Sequence, residues 1–389
     1  MPTLDVYKAD LHSYVVYKNE IEECDTLRFI GKEFNWFYSL SEAYDNVHFE
    51  ESGKSHFTIK DYDSTWDQFD FKYKDSKVKG IFDIARYYPD NFSAPIILSS
   101  TFILNFEEII EIAEIKNVSF SVGDFLRFIT YRNNYYFQNV ELLKKENNSD
   151  TYKVVGEIYV YKYSPLPEET HESANVRIID YTLLNTSLPL LFSNIFDKNV
   201  YLKHLPNSVT DSLLVTTARF IMVTAGFEWQ YKYFYQKEIE ELEANKFKDL
   251  RKCIIDSFQK EIDKNTGKEK GYLKYVQKSF KSYHVPLSSK IQKTFEKFDN
   301  ELKDFVVNLY EINKVPKKDY NYSNISKRLE KQRNDFAHGN IDKEVNPLLV
   351  LDLYTLEWLI YVMVLDHVGM SKENIKKSIN NLFKRNMPL

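Results

Sequence analysis

The sequence predicts an α+β protein: an N-terminal antiparallel β-rich domain, sandwich or barrel-like, followed by a C-terminal all-α helical bundle. Up to about residue 165, short runs of Phe, Tyr, Ile and Val alternate with polar turn clusters, as strands do. After about residue 208, apolar residues recur three or four positions apart, which is the period of amphipathic helices. At 389 residues the chain is long enough for two separate cores.

Seven segments of the first part have the composition of strands. These are 26–30, 55–59, 68–73, 79–85, 96–104, 117–121 and 152–163. Their spacing is typical of a sandwich or barrel, and the polar stretch 144–150 predicts a hairpin tip between two of them. We therefore assign residues 1–165 to the β-rich domain.

Residues 166–207 are predicted to form a linker that contains a short helix. Four prolines lie at positions 165, 167, 189 and 206, and proline favours extended or turn geometry. The segment 188–202 is apolar enough to form a short bridging helix inside this connector. The two domains are thus expected to lie on either side of this linker.

Residues 208–389 are predicted to form the helical domain. Asn207 and Ser208 can cap its first helix, because their side chains can accept hydrogen bonds from free backbone N–H groups. The predicted helices are 209–236, 237–264, 271–283, 288–313, 323–338 and 345–369.

The longest apolar stretch, 347–368, predicts a buried helix. Asp352, Glu357 and Asp366 interrupt it, and a membrane-spanning helix rarely carries three acids. The N-terminus lacks the basic start and apolar core of a signal peptide, and the two cysteines show no disulfide or zinc pattern. We expect a cytoplasmic protein that does not interact with a membrane.

Charge is distributed unevenly along the chain. The part from Leu205 onward holds 31 Lys and Arg against 25 Asp and Glu, a net charge of +6, which leaves −11 for the preceding part. A modestly basic half beside an acidic half suits a nucleic-acid-binding module joined to something else. A solvated helical surface explains the same balance equally well.

One short segment carries most of the functional argument: KQRNDFAHGN at positions 331–340. Its last two residues, Gly and Asn, both accept the left-handed backbone that often follows a helix, so His338 should lie near a helix end. Asn334 and His338 are four residues apart and share a face, and Arg333 is long enough to reach the same side. The bare Arg–His spacing is a weak signal, which its place at a helix end strengthens.

These residue types suit cleavage of RNA without a metal. The ribose 2′-hydroxyl loses a proton as it attacks the neighbouring phosphate, and an imidazole can accept that proton or protonate the leaving oxygen. A guanidinium is matched to the negative charge that develops on the phosphate oxygens. We expect no metal and no other cofactor, since the His and Cys residues show no ligand spacing.

The segment Arg-Asn-Asp-Phe-Ala-His-Gly resembles the signature of HEPN domains, and a β-rich front before a helical back resembles the ApeA-like anti-phage branch of that family. The resemblance covers about residues 205–370. It implies a metal-independent endoribonuclease that forms 2′,3′-cyclic phosphate ends and works as a homodimer or higher oligomer. It also implies that Arg333 and His338 are catalytic and that Asn334 assists them, by fixing the imidazole tautomer or touching phosphate.

Four further residues are candidates for supporting roles. Lys327, Arg328 and Lys331 lie on the predicted motif helix and are candidates to hold RNA phosphates, although a solvated face is an equal alternative. Glu228 is a candidate to orient a catalytic residue, with a rim position or a pair with Arg219 as the alternative. The motif itself also has a structural interpretation, an exposed helix end where a histidine charge is favourable.

Two functions follow from these observations. The first is a toxin-like RNase of anti-phage defence by abortive infection, which cleaves cellular RNA, with tRNA as one candidate, after a phage-derived trigger acts through the β-rich sensor domain. The second is a catalytically inactive HEPN module that only dimerises or binds RNA, while the front domain recognises a protein or carbohydrate.

Overall fold

The computed structural model describes residues 13–18, 23–49, 55–61, 66–88, 96–146, 151–160, 169–170, 177–238, 248–281, 285–340 and 345–388. The chain divides into two compact units: a first unit, Met1–Val215 with Val368–Leu389, and a second unit, Thr216–His367. Positions 147–150, 161–163, 166–168, 171–176, 239–247 and 282–283, which fall in predicted segments, lie outside the described residues.

The first unit is built on an antiparallel seven-stranded sheet, with the strand order β1-β9-β8-β2-β7-β6-β5. A separate two-stranded sheet pairs β3 with β4. The strands are β1 (Ser13–Tyr17), β2 (Cys24–Ile30), β3 (Tyr44–Phe49), β4 (Ser55–Ile59), β5 (Trp66–Tyr73), β6 (Ser76–Tyr87), β7 (Ile97–Ile110), β8 (Asn139–Lys145) and β9 (Tyr152–Val160).

Helices cover one face of the large sheet and bury its aromatic residues. The helices of this unit are α1 (Lys32–Phe37), α2 (Ile112–Thr130), α3 (Tyr181–Leu184), α4 (Leu188–Phe196) and α12 (Lys372–Leu382), with short 3-10 turns at Leu40–Ala43, Asn185–Ser187 and Asp211–Leu213. Phe82 and Phe102 are paired across β6 and β7, with ring centroids 4.5 Å apart. Phe192 of α4 lies 5.1 Å from Phe102 and 4.5 Å from Phe125 of α2, so both helices pack on the same face.

The predicted α+β class is confirmed, and three details of its β-rich part are corrected. Seven of the nine described strands form one open layer covered by helices, rather than a sandwich or barrel. The segment 117–121, predicted as a strand, lies inside helix α2, because buried Ile115, Val118 and Val122 follow a helical period. Strands β1, β3 and β8 were not predicted.

The predicted linker is corrected as well. Leu188 and Phe192 of α4 are fully buried, so the short helix expected inside a connector belongs to the core of the first unit. Residues 372–382 were predicted as part of the helical domain but not as a helix; they form α12, which groups with the first unit. There Asn374 donates a hydrogen bond to the Leu183 carbonyl at 3.2 Å, and the Phe383 ring packs on Tyr131 at 4.8 Å.

The second unit is helical over its described residues. Its helices are α5 (Thr217–Phe234), α6 (Lys248–Lys264), α7 (Gly267–Lys281), α8 (Leu287–Lys297), α9 (Asp299–Ile312), α10 (Tyr322–Ala337) and α11 (Leu349–His367), with a 3-10 turn at Lys317–Asp319. The predicted helix 288–313 is two helices, α8 and α9, that meet at Phe298. The first predicted helix, 209–236, begins later, at Thr217, behind a cap on Thr216.

Helix α11 is the buried helix that the apolar stretch predicted. Its residues from Leu356 to Leu365 are all buried, and it packs against α5, α9 and α10. In the part of the chain that the structure describes, no helix combines the length and the apolar composition needed to cross a membrane.

Candidate active site

Helix α10 carries the motif, and its two ends explain where the motif residues lie. Asn321 caps the first turn, since its side chain accepts a hydrogen bond from the Asn324 N–H at 2.9 Å. At the other end Gly339 has φ +69, and the Asn340 N–H donates to the Asp335 carbonyl at 2.9 Å. This is a Schellman ending, so His338 is the capping residue at the end of the helix.

A buried ion pair fixes α10 against α11. Arg328 donates two hydrogen bonds to the Asp352 carboxylate, both at 2.7 Å, and the Tyr310 hydroxyl donates a third. Asp352 is fully buried. Burial raises the pKa of Asp352, and the hydrogen bonds from Arg328 and Tyr310 oppose that shift.

The predicted RNA-binding role of Arg328 is therefore corrected. Its side chain is 15% exposed; two guanidinium nitrogens donate to Asp352, and the third donates to the Asp319 carbonyl. Withdrawing it toward a phosphate would leave a buried carboxylate without its cation, which is strongly destabilising. Arg328 is a structural residue of the second unit.

A second buried ion pair fixes α5 against α11. Arg219 donates to both oxygens of Glu357 at 3.0 Å, and Glu357 is fully buried. The alternative that Glu228 pairs with Arg219 is therefore wrong. Near the end of α10, the rings of Phe220 and Phe336 pack edge to face at 5.4 Å, so α5 is held close to the motif.

Glu228 instead contacts Arg333. One terminal nitrogen of the Arg333 guanidinium lies 3.4 Å from the Glu228 carboxylate, and the other donates to the Asn334 side-chain oxygen at 3.3 Å. The side chains of Arg333 and Glu228 are 38% and 37% exposed, so both remain accessible to a ligand. The guanidinium is thus held loosely between α5 and the end of α10.

The exposed side of α10 carries the other candidates. Lys327, Lys331, Asn334 and His338 are all exposed, and their spacing of three or four residues aligns them on one side of the helix. We call these four residues the exposed stripe. No hydrogen bond or ion pair joins the side chains of Lys327, Lys331 or His338 to another described residue. The stripe offers two ammonium groups and an imidazole to solvent.

Arg333 and His338 project from different sides of the helix. Their positions differ by five, which corresponds to about 140° around the helix axis at about 3.6 residues per turn. Contact with Asn334 brings the Arg333 guanidinium to the edge of the exposed stripe. Asn334 therefore positions the guanidinium in this structure, rather than the imidazole.

Comparisons of the chain with protein-family models, with curated proteins and with solved structures found no match. The resemblance to HEPN domains accordingly rests on the motif residues and on the helix end where they lie. Among the described residues, no group of three or more His, Cys, Asp or Glu side chains is arranged to hold a metal ion.

The residues that the sequence did not reveal are the supports of the site. Asp352 and Glu357 stood out only as charges inside an apolar stretch, Arg219 was considered only as a partner of Glu228, and Tyr310 gave no signal. A buried carboxylate needs a cationic or hydroxyl partner, so these two acids were the signal that could have indicated such partners. Their identities depended on which helices pack together.

Proposed function

We propose that this chain is a metal-independent endoribonuclease in which His338 transfers protons and Arg333 stabilises the negative charge of the transition state. The observation that carries the proposal is the arrangement at the end of α10. There an exposed imidazole, two exposed lysines and a partly exposed guanidinium lie within the last turns of one helix, which a buried ion pair holds in place.

The chemistry needs an acid and a base but no bound cofactor. One imidazole takes the proton of a ribose 2′-hydroxyl, whose oxygen then attacks the adjacent phosphorus. A second imidazole protonates the 5′-oxygen as its bond to phosphorus breaks. The products are a 2′,3′-cyclic phosphate and a free 5′-hydroxyl, while the Arg333 guanidinium donates to the phosphate oxygens where negative charge builds.

Each chain supplies one His338, so two copies would supply both the base and the acid. A partly exposed apolar surface beside Glu228 supports such pairing: Ile221 and Met222 are half-buried, and Trp229 and Tyr233 are 39% and 50% exposed. The rings of these two aromatic residues lie 4.9 Å apart. Exposed apolar patches of this kind mark interaction surfaces.

The resemblance to HEPN domains extends this proposal to the cell. It suggests an RNase of anti-phage defence that acts on cellular RNA, tRNA among the candidates, as a dimer or higher oligomer in the cytoplasm. Unpaired loops of a structured RNA fit the exposed stripe, because their phosphates and 2′-hydroxyls are accessible.

The test compares RNA cleavage by the native chain, His338→Ala, Arg333→Ala and the surface control Lys317→Ala, all in excess chelator. We expect cleavage by the native chain and the control, and a loss of at least about a hundredfold in the other two, since acid–base catalysis and electrostatic stabilisation of the transition state each contribute about that much. The same comparison in cells under phage infection covers a dependence on a trigger. Equal RNA fragmentation by all four chains in both settings would contradict the proposal.

One observation favours the second candidate function, ligand recognition by the first unit. The face of the large sheet opposite the helices forms an open cavity of about 1220 Å³, whose lining includes Trp66, Lys79, Asp83, Asn105 and Tyr152. Aromatic rings beside amides, lysines and carboxylates suit a polar ligand such as a carbohydrate or a peptide. Binding that Trp66→Ala abolishes, in a chain without nuclease activity, would favour this function.

A further inference from the structure

Helices α6 and α7 form a hairpin that packs mainly on itself. Ile262 and Gln277 are buried where the two helices meet, and the Gln277 amide donates to the Gln259 side chain at 3.2 Å. Gly267, at φ +62, begins α7 directly after the two-residue turn between the helices. Most other described side chains of the hairpin are exposed.

The hairpin is basic as a whole. Residues 248–281 contain 10 Lys and Arg against 5 Asp and Glu, a net charge of +5. That nearly equals the +6 of the whole part from Leu205 onward, so the positive charge of this half is concentrated in the hairpin. A basic segment of this kind attracts a polyanion.

One side of α7 combines this charge with aromatic rings. We call it the basic tyrosine face: Lys268, Tyr272, Tyr275 and Lys278 recur three or four residues apart, and Lys274, four residues before Lys278, lies at its edge. All five side chains are exposed, the two tyrosines at 69% each. Lys268, Lys274, Tyr272 and Tyr275 make no hydrogen bond or ion pair with any other described residue.

The same side of α7 carries no acid. The one carboxylate of the helix, Glu269, borders Tyr272 at about 60° around the axis, on the arc where Leu273, Val276 and Gln277 turn toward α6. Two solvated tyrosine rings offer faces on which bases can stack. Lysines around such rings, without competing acids, are the arrangement that single-stranded nucleic acids bind.

We propose that the basic tyrosine face binds a single-stranded segment of RNA. Bases stack on Tyr272 and Tyr275, and the flanking phosphates contact Lys268, Lys274 and Lys278. The choice of RNA rests on the proposed function, since the hairpin belongs to the same unit as the exposed stripe. A second copy of this face is a poor partner, because like charges would oppose each other.

Binding can be measured separately from cleavage. The full-length His338→Ala chain is titrated against a fluorescent oligouridine of about 12 nucleotides, a length within the usual range of single-strand sites. Tyr272→Ala with Tyr275→Ala tests the rings, and Tyr272→Phe with Tyr275→Phe retains them. Lys268→Gln, Lys274→Gln and Lys278→Gln together test the charges, and Lys252→Gln, Lys260→Gln and Lys264→Gln make the same charge change on α6.

We expect the alanine pair to weaken binding by about tenfold or more, since stacking contributes at least about 1 kcal/mol per base, and the phenylalanine pair to retain it. The α7 lysine set should reduce the slope of log K against log salt by about 2, at about 0.7 per phosphate contact, and the α6 set should not. Circular dichroism checks that every variant keeps its helices.

Three results would overturn the proposal: unchanged binding in the alanine pair, equal losses in the α6 and α7 lysine sets, or binding to anionic phospholipid vesicles without binding to oligouridine. Because cleavage is not the readout, the two proposals fail separately. A native chain that does not cleave RNA, but binds it through α7, would reject the nuclease and keep this face.

Discussion

Glu228 is the residue whose role is most open to test, because it contacts Arg333 from a different helix. A carboxylate beside a guanidinium orients it but also competes with phosphate for its hydrogen bonds. Glu228 is therefore proposed as a positioning residue, and its loss should affect the rate and the binding of RNA differently.

For Glu228→Gln we predict that kcat falls on the order of tenfold to a hundredfold, because a misplaced guanidinium stabilises the transition state less well. KM should stay the same or fall, since a negative charge near the phosphates is gone. Steady-state cleavage of a defined RNA measures both constants. A raised KM with an unchanged kcat would show that Glu228 serves binding alone.

His367, at the end of α11, gives the second unit a dependence on pH. Desolvation, where its ring stacks on Phe234 at 3.7 Å, lowers the pKa of His367, and neighbouring Asp366 opposes that shift. The unfolded chain therefore binds more protons than the folded chain below about pH 6.5, so stability falls as the pH is lowered through that value.

We predict that His367→Phe reduces this loss, since phenylalanine keeps the stacking and cannot be protonated. Urea unfolding of both chains at pH 8 and at pH 5.5 measures the difference. If the two chains lose the same free energy of unfolding between these values, other groups carry the pH dependence.

At the scale of elements, α11 shows how much of the structure the sequence predicted. It predicted a buried helix broken by three acids, and each acid has a partner: Asp352 with Arg328, Glu357 with Arg219, and Asp366 with the Tyr235 hydroxyl at 2.8 Å. Arg328 was instead assigned to RNA, because a basic residue on a polar helix has the same pattern whether or not an acid faces it. Which residues pair across helices depends on how the helices pack, and the periodicity of the sequence does not indicate that packing.

Arg328→Met should lower the free energy of unfolding by about 3–5 kcal/mol, the usual cost of leaving one partner of a buried ion pair alone. Lys327→Met is the matched control on the same helix, and an exposed change of this kind costs within about 0.5 kcal/mol. Thermal unfolding of the two variants checks both values. Equal, small losses would mean that Asp352 does not depend on Arg328.

The errors in the predicted elements have physical causes. The segment 117–121 is rich in apolar and hydroxyl residues, so its short window is typical of a strand, and only the longer spacing from Ile115 to Ile129 shows the helix. Proline at position 189 is typical of a linker, yet it occupies the first turn of α4, where a proline costs no hydrogen bond. Strand β8 was missed because its lysines and acids obscure the alternation.

For the whole molecule, the proposal requires two copies of the chain. We predict that Trp229→Glu weakens self-association and lowers the specific activity at low protein concentration, with recovery at high concentration. A charge on this apolar surface would have to be desolvated in the paired state. Trp66→Glu is the matched control, since Trp66 is 40% exposed and Trp229 is 39% exposed.

Sedimentation and cleavage assays over a range of concentrations measure this effect. A Trp229→Glu chain with native self-association would place the pairing surface elsewhere. A native chain that is monomeric while it cleaves RNA would remove the need for a second His338.

The most direct test of the nuclease proposal is the chemistry of the RNA ends that the native chain produces in excess chelator. Attack by the 2′-oxygen, with His338 transferring the protons, predicts a 2′,3′-cyclic phosphate on one fragment and a 5′-hydroxyl on the other. Mass spectrometry of the fragments distinguishes these ends. Fragments with 5′-phosphate ends, or cyclic ends that persist in the His338→Ala chain, would contradict the assignment of this site.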